Sequence, residues 1–162
     1  MQRARFADIL RLLASNEVEF IVVGMTAGIL HGAPVTTIDL DVVHRRSRDN
    51  VARLLRVLAA LDAVYRHDPR KLRPQESHLM GSGHQLLTTT HGDLDCLGAI
   101  GEGLGYEELI ERTVAMSLPG GLVVRVLSLP ALIETKERSG RPKDLAALPL
   151  LRATLDELTR RP

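Results

Sequence analysis

The apolar positions of the chain fall into two alternating rhythms. Over residues 3–15, Phe6, Ile9, Leu10, Leu12 and Leu13 recur at helical spacing, which predicts an amphipathic helix that stops at Asn16. Glu19 to Val23 is rich in β-branched and aromatic residues and ends at Gly24, the pattern of a strand. Thr26 to His31 predicts a short helix closed by Gly32 and Pro34. Ile38 to Val43 predicts a second strand. Ser47 is placed to cap a helix over about 48–61, with Asn50 at its third position and Val51, Leu54, Leu55, Leu58 and Leu61 on its buried side. Residues 66–84, rich in Arg, His, Pro and Gly, read as a long loop with room for one short strand. Leu86 to Thr90 and Leu94 to Ala99 read as strands joined at His91-Gly92-Asp93.

The C-terminal third continues with a short helix over Tyr106 to Arg112. A hairpin follows, from Val114 to Leu118 and Leu122 to Leu127, turning at Pro119-Gly120-Gly121. Ser128, with Pro130 in the first turn, opens a helix ending near Gly140. A last helix runs from Pro142 to about Leu158. Helices and strands alternate irregularly, so the expected fold is α+β, a mixed sheet flanked by helices, and not a regular βαβ series. One domain is expected over 1–162, with a sheet-containing core over 1–127 and C-terminal helices over 128–162.

Composition narrows the function. At 162 residues the chain can bury a sizeable core. The single cysteine, Cys96, excludes an intrachain disulfide, and an N-terminus without a secretory pattern leads us to expect a cytoplasmic protein. No apolar run reaches the ~20 residues that span a bilayer, so no membrane partner is expected. The formal net charge of +1 gives no overall basic field. Aromatic residues at 2% argue against a base-stacking platform. Contact with RNA would fall to a local patch such as Arg45, Arg46 and Arg48, which reads equally well as a solvated loop.

The candidate chemistry lies in the second strand. Alternation puts Asp39 and Asp41 on one face, roughly 7 Å apart, with Leu40 and Val42 turned to a core. At an effective dielectric of about 20, two charges at that spacing repel by roughly 2 kcal/mol. A divalent cation removes the repulsion, and hard oxygen ligands suit Mg²⁺ or Mn²⁺. The plainer alternative is an exposed strand whose aspartates keep it soluble. Gly92-Asp93-Leu94-Asp95-Cys96-Leu97 supplies a second acidic strand. Asp95, flanked by apolar residues, is the better third carboxylate, whereas Asp93 beside Gly92 looks like a turn residue. His31 reads as a capping or packing residue. His84 and His91 lack a zinc spacing, and Cys96 reads as a small core residue.

A strand ending in glycine, a short helix, Asp-x-Asp in a second strand and one Asp in a later strand together resemble the DNA polymerase β-like nucleotidyltransferase superfamily. Gly24, Asp39, Asp41 and Asp95 fill those places. More narrowly, Val23-Gly24 with Ala27, His31-Gly32, Thr37 to Asp41, Leu132 to Lys136 and Gly140 to Leu145 look like the small bacterial AbiEii-type nucleotidyltransferases. The likeness spans residues 20–148. It implies metal-dependent transfer of a nucleoside monophosphate from an NTP to a hydroxyl of RNA, protein or a small molecule. It implies two Mg²⁺ or Mn²⁺ ions on Asp39, Asp41 and Asp95, with Asp95 helping to take the hydroxyl proton. It implies nucleotide contacts from Gly24, Met25, Thr26, Lys136 and Lys143, and a toxin–antitoxin setting with a cognate antitoxin as partner. Two positions depart from the pattern. Met25 stands where Gly or Ser is usual, with Thr26 able to offer a hydroxyl one residue late, and Val35 stands where relatives often carry Arg. A catalytically degenerate relative that binds nucleotide or metal, and a protein-interaction module, are the alternatives these departures raise.

Overall fold

The computed structural model describes residues 5–162; the first two residues of the helix expected over 3–15 lie outside them. In chain order the elements are α1 (Phe6–Ser15), β1 (Phe20–Val23), α2 (Gly24–Leu30), β2 (Asp39–His44), α3 (Arg48–Ala60), β3 (Val64–Tyr65), α4 (Glu76–Met80), β4 (His84–Thr89) and β5 (Gly92–Leu97). Then come α5 (Tyr106–Leu109), a 3₁₀ turn (Ile110–Arg112), β6 (Thr113–Leu118), β7 (Leu122–Leu127), α6 (Leu129–Ser139) and α7 (Pro142–Arg160). This is the expected α+β architecture, and the sheet is mixed: its order is β3-β4-β5-β2-β1-β7-β6. β2 runs parallel to β5, and β1 parallel to β7. The other neighbours are antiparallel.

Local chemistry explains the boundaries. Ser47 accepts the Asn50 N–H at the start of α3, and Ser128 accepts the Ala131 N–H at the start of α6, where proline sits in the first turn. Gly140, at φ 64°, closes α6 in the left-handed conformation that favours glycine. Asn50 has a second task. Fully buried, it receives the Glu19 N–H at 2.7 Å and donates to the carbonyls of Glu19 and Arg45. It thereby fixes α3 to the ends of β1 and β2.

Two expectations change. Residues 66–84 are not all loop: α4 lies within them, opened by a Gln75/His78 capping box, and β3 immediately precedes them. Asp93 is not a turn residue. The reversal falls at Thr90-His91, and β5 begins at Gly92.

Coverage of the sheet is uneven, and that places the site. All four residues of β1 are buried. α2 packs on β1 and β2 and also on α6, which packs on α7; α1 lies against β7 and α3. In β2 and β4 burial alternates instead. Leu40, Val42 and Leu87 have no exposure, while Leu86 is 44% exposed and Thr88 is exposed. The β3–β4–β5 half of the sheet therefore has one sealed face and one open face, and β2 lies at the edge of the open region.

Candidate active site

Strand register alone brings the acidic residues together. β2 and β5 pair in parallel with Asp39 beside Asp93 and Asp41 beside Asp95, so all four side chains point to the open face. Oxygens of Asp39, Asp41 and Asp95 lie within 4.8 Å of one another. Asp95 is the most enclosed, at 7% exposure. The expected convergence of these three carboxylates is found.

Their protonation reflects crowding. Burial, reinforced by the charges of Asp39 and Asp95, pushes the Asp41 carboxyl up to about 7. Burial also raises Asp95, against an opposing hydrogen bond and charge from Arg66. Lys136 is near enough to work against the shift at Asp41.

Gly24 has a steric role that its place in the sequence does not disclose. Its φ is +65°, and a Cβ there would overlap the Asp41 carboxylate. Only glycine lets the start of α2 come so close to that oxygen. The two following residues face elsewhere. Met25 packs against the core, with its methyl beside Gly28 in α2. The Thr26 hydroxyl is buried and donates to the Asp39 carbonyl at 3.2 Å. The Thr37 hydroxyl lies 3.1 Å from both that carbonyl and Asp39 Oδ1. Two threonines thus brace the first aspartate of β2.

The cations expected at the site separate. Lys136 Nζ pairs with Asp144 Oδ1 at 3.1 Å, and Asp144 also receives Ser139 and Arg141. Lys143 is exposed in the first turn of α7. His31 holds packing in place, its Nε2 lying 2.8 Å from the Leu127 carbonyl of β7. Cys96 is fully buried, which raises its thiol to about 12 and removes it from nucleophilic chemistry. In the basic run after β2, Arg45 bridges Glu19 and Glu107, and Arg48 stands 3.5 Å from Glu76.

One site residue has no counterpart in the reading of the sequence. Arg66, just past β3, places Nη2 2.6 Å from Asp95 Oδ1 and Nε 3.2 Å from Asp93 Oδ2. It stands 29 positions before Asp95, in a segment whose composition suggested a long loop with room for one short strand. The one available signal was the Val64-Tyr65 pair before it.

No family model matches the chain, and no curated protein matches it by sequence. Solved structures do match. A Thermotoga maritima protein described as a nucleotidyltransferase shares 17% identity, with 96% of this chain and 97% of that chain covered and a TM-score of 0.57. The antibiotic-resistance factor ANT(2″)-Ia in solution shares 14% identity over 93% of this chain and 82% of its own, at a TM-score of 0.60. The same factor crystallised with adenylyl-2″-tobramycin shares 17% identity over 93% and 87%, at 0.57. The chain therefore has the nucleotidyltransferase fold.

Proposed function

We propose that the protein is a metal-dependent nucleotidyltransferase, moving a nucleoside monophosphate from an NTP to a hydroxyl of an acceptor. The observation that carries this reading is the gathering of three carboxylate oxygens within 4.8 Å by two parallel-paired strands, on the open face of a nucleotidyltransferase fold. The donor set suits a hard divalent cation. It is all oxygen, it is crowded enough to push the Asp41 carboxyl up to about 7, and the glycine at 24 lets the Asp41 carboxylate lie against the start of α2. Asp39, Asp41 and Asp95 would hold Mg²⁺ or Mn²⁺. The bound cation would neutralise phosphate charge and acidify the attacking hydroxyl.

The chain's own residues do the rest. Thr26 and Thr37 keep the Asp39 backbone fixed, and the Gly24 turn admits the triphosphate beside Asp41. Attack of the acceptor oxygen on the α-phosphorus breaks the bond to the bridging oxygen and releases pyrophosphate. Asp95, whose Oδ1 is bound to Arg66, takes the hydroxyl proton on its other oxygen. Lys143, exposed at the start of α7, is available to the outer phosphates. Lys136 is available only by loosening its pair with Asp144.

A small hydroxylated molecule is one acceptor class to test first, because ANT(2″)-Ia, with which the fold is shared, was crystallised with an adenylylated aminoglycoside. RNA, a protein hydroxyl and an AbiEii-type toxin role with an antitoxin partner are the other acceptor and partner readings. A catalytically silent relative is favoured by one observation: Met25 faces the core and offers nothing to phosphate. The deciding experiment incubates the protein with each α-labelled NTP, Mg²⁺ or Mn²⁺, and in turn aminoglycosides, total RNA and cell extract. Label transferred with pyrophosphate release, and lost in Asp41→Asn, supports transfer. Metal-dependent NTP binding with no labelled product under any condition supports the silent relative.

A further inference from the structure

Arg66 is better placed than a surface arginine has reason to be. Its N–H donates to the Leu86 carbonyl at 2.9 Å, extending the β3–β4 ladder by one step. Arg66, Leu86, Asp95 and Asp41 consequently form one row across the open face. The guanidinium crosses Leu86, and Nη2 is held at both ends, by Asp95 Oδ1 at 2.6 Å and by the Leu87 carbonyl at 2.9 Å. The side chain is only 15% exposed. Nε is buried and makes no hydrogen bond, although Asp93 Oδ2 stands 3.2 Å away. The guanidinium is thus oriented by Asp95 and Leu87, and it faces Asp93 as a charge. The Thr88 hydroxyl holds the other oxygen of Asp93 at 3.2 Å.

The chain therefore brings its own cation to four carboxylates, and that cation takes an oxygen of the same Asp95 that a metal would need. We propose that Arg66 competes with the divalent cation for Asp95 and so sets the metal affinity of the nucleotide-free site. The inference rests on reading Asp39, Asp41 and Asp95 as a metal site. Its physical basis is that a fixed unit positive charge, held 2.6 Å from Asp95 Oδ1, already offsets part of the carboxylate charge and repels an incoming double charge beside a partly buried site. The rival role, in which Arg66 merely orients Asp95 for the metal, predicts the opposite sign, because removing an orienting partner weakens metal binding.

The test is a Mn²⁺ titration of nucleotide-free protein, followed by the loss of the free-ion electron paramagnetic resonance signal, with melting temperature in chelator as a second readout. Arg66→Gln removes the charge. It should tighten Mn²⁺ binding by about ten-fold or more and lower the melting temperature in chelator, since carboxylate repulsion is then unopposed. Arg66→Lys keeps the charge and should stay within about three-fold of wild type. In an Asp95→Asn background the gain from Arg66→Gln should largely disappear. Unchanged or weaker Mn²⁺ binding in Arg66→Gln overturns the proposal. Should Arg66→Gln not fold in chelator, Arg66→Lys decides: near-wild-type affinity supports competition, and a ten-fold loss overturns it. An Asp41→Asn variant that binds Mn²⁺ like wild type would instead show that the metal site itself is misassigned.

Discussion

Two aspartates in this protein are buried to nearly the same depth and titrate in opposite directions. Asp95 is 7% exposed and Asp144 is 6% exposed. Burial raises both, but the balance differs. At Asp144, hydrogen bonds from Ser139 and Lys136, the charge of Lys136 and a hydrogen bond from Arg141 reverse the effect of burial and bring the carboxyl down to about 2. At Asp95 the single guanidinium of Arg66 does not, and its neighbour Asp41 is left at about 7. One cluster is saturated with donors. The other holds too many carboxylates for the cations the chain provides. The first is how a fold fastens α6 to α7. The second is left short of positive charge, and unmet charge of this kind is the pattern expected at functional positions.

The largest expected effect comes from breaking the saturated cluster. Asp144→Ala leaves Lys136, whose side chain is 12% exposed, without its carboxylate. Removing one partner of a buried pair should cost about 3–5 kcal/mol, read as a lower urea midpoint. A loss under 1 kcal/mol would mean that Lys136 swings to Asp41, merging the two clusters. The same surgery in the other cluster should do the reverse. Asp41→Asn relieves repulsion and, in chelator, should leave stability unchanged or raise it by about 1–2 kcal/mol at pH 8, a fraction of the nominal worth of the shift because the site keeps solvent contact. A substantial loss would make Asp41 structural.

The pH dependence should carry opposite signs. Between 3.8 and about 7 the folded chain holds a proton on Asp41 that the unfolded chain has shed. That contribution to stability is therefore lost as pH rises through this window, and it levels off above it. Asp144 works the other way: its contribution is present above 3.8 and fades as pH falls toward about 2. Metal-free denaturation from pH 4 to 8 should show wild type losing stability relative to Asp41→Asn. Parallel curves would contradict the raised carboxyl.

The smallest effect belongs to nucleotide binding. Because Met25 packs against the core beside Gly28, Met25→Ser should leave the affinity for a non-hydrolysable NTP, with saturating Mg²⁺, unchanged; tighter binding would show that position 25 faces the phosphates. Thr26→Ala tests whether the hydroxyl now bonded to the Asp39 carbonyl braces that aspartate. If it does, metal affinity should weaken together with NTP affinity. Calorimetric titration of both ligands separates the two effects.

The sequence disclosed the unmet cluster more readily than the saturated one. Alternation along one strand suffices to put Asp39 and Asp41 on a common face, and apolar neighbours mark Asp95 as a strand residue. The capping signals at Ser47, Ser128 and Gly140 are local, and the helices begin and end by them. Other features depend on register between distant segments. Pairing of β2 with β5, which sets Asp93 beside Asp39, leaves no trace in either strand alone. The same holds for Arg66, which reaches Asp95 across β4, and for Lys136, which reads as a phosphate ligand until Asp144 is seen beside it. The short elements β3 and α4 were hidden by a composition of Arg, His, Pro and Gly, because two residues of strand and five of helix carry too little periodicity to read.

Direct Mn²⁺ titration of wild type and Asp41→Asn at pH 8 decides whether Asp39, Asp41 and Asp95 form a divalent-cation site. Wild type should bind Mn²⁺ saturably and the variant about ten-fold or more weakly, with a matching loss of Mn²⁺-induced thermal stabilisation. Identical isotherms for the two proteins, or no saturable binding by wild type even with NTP present, would contradict that assignment.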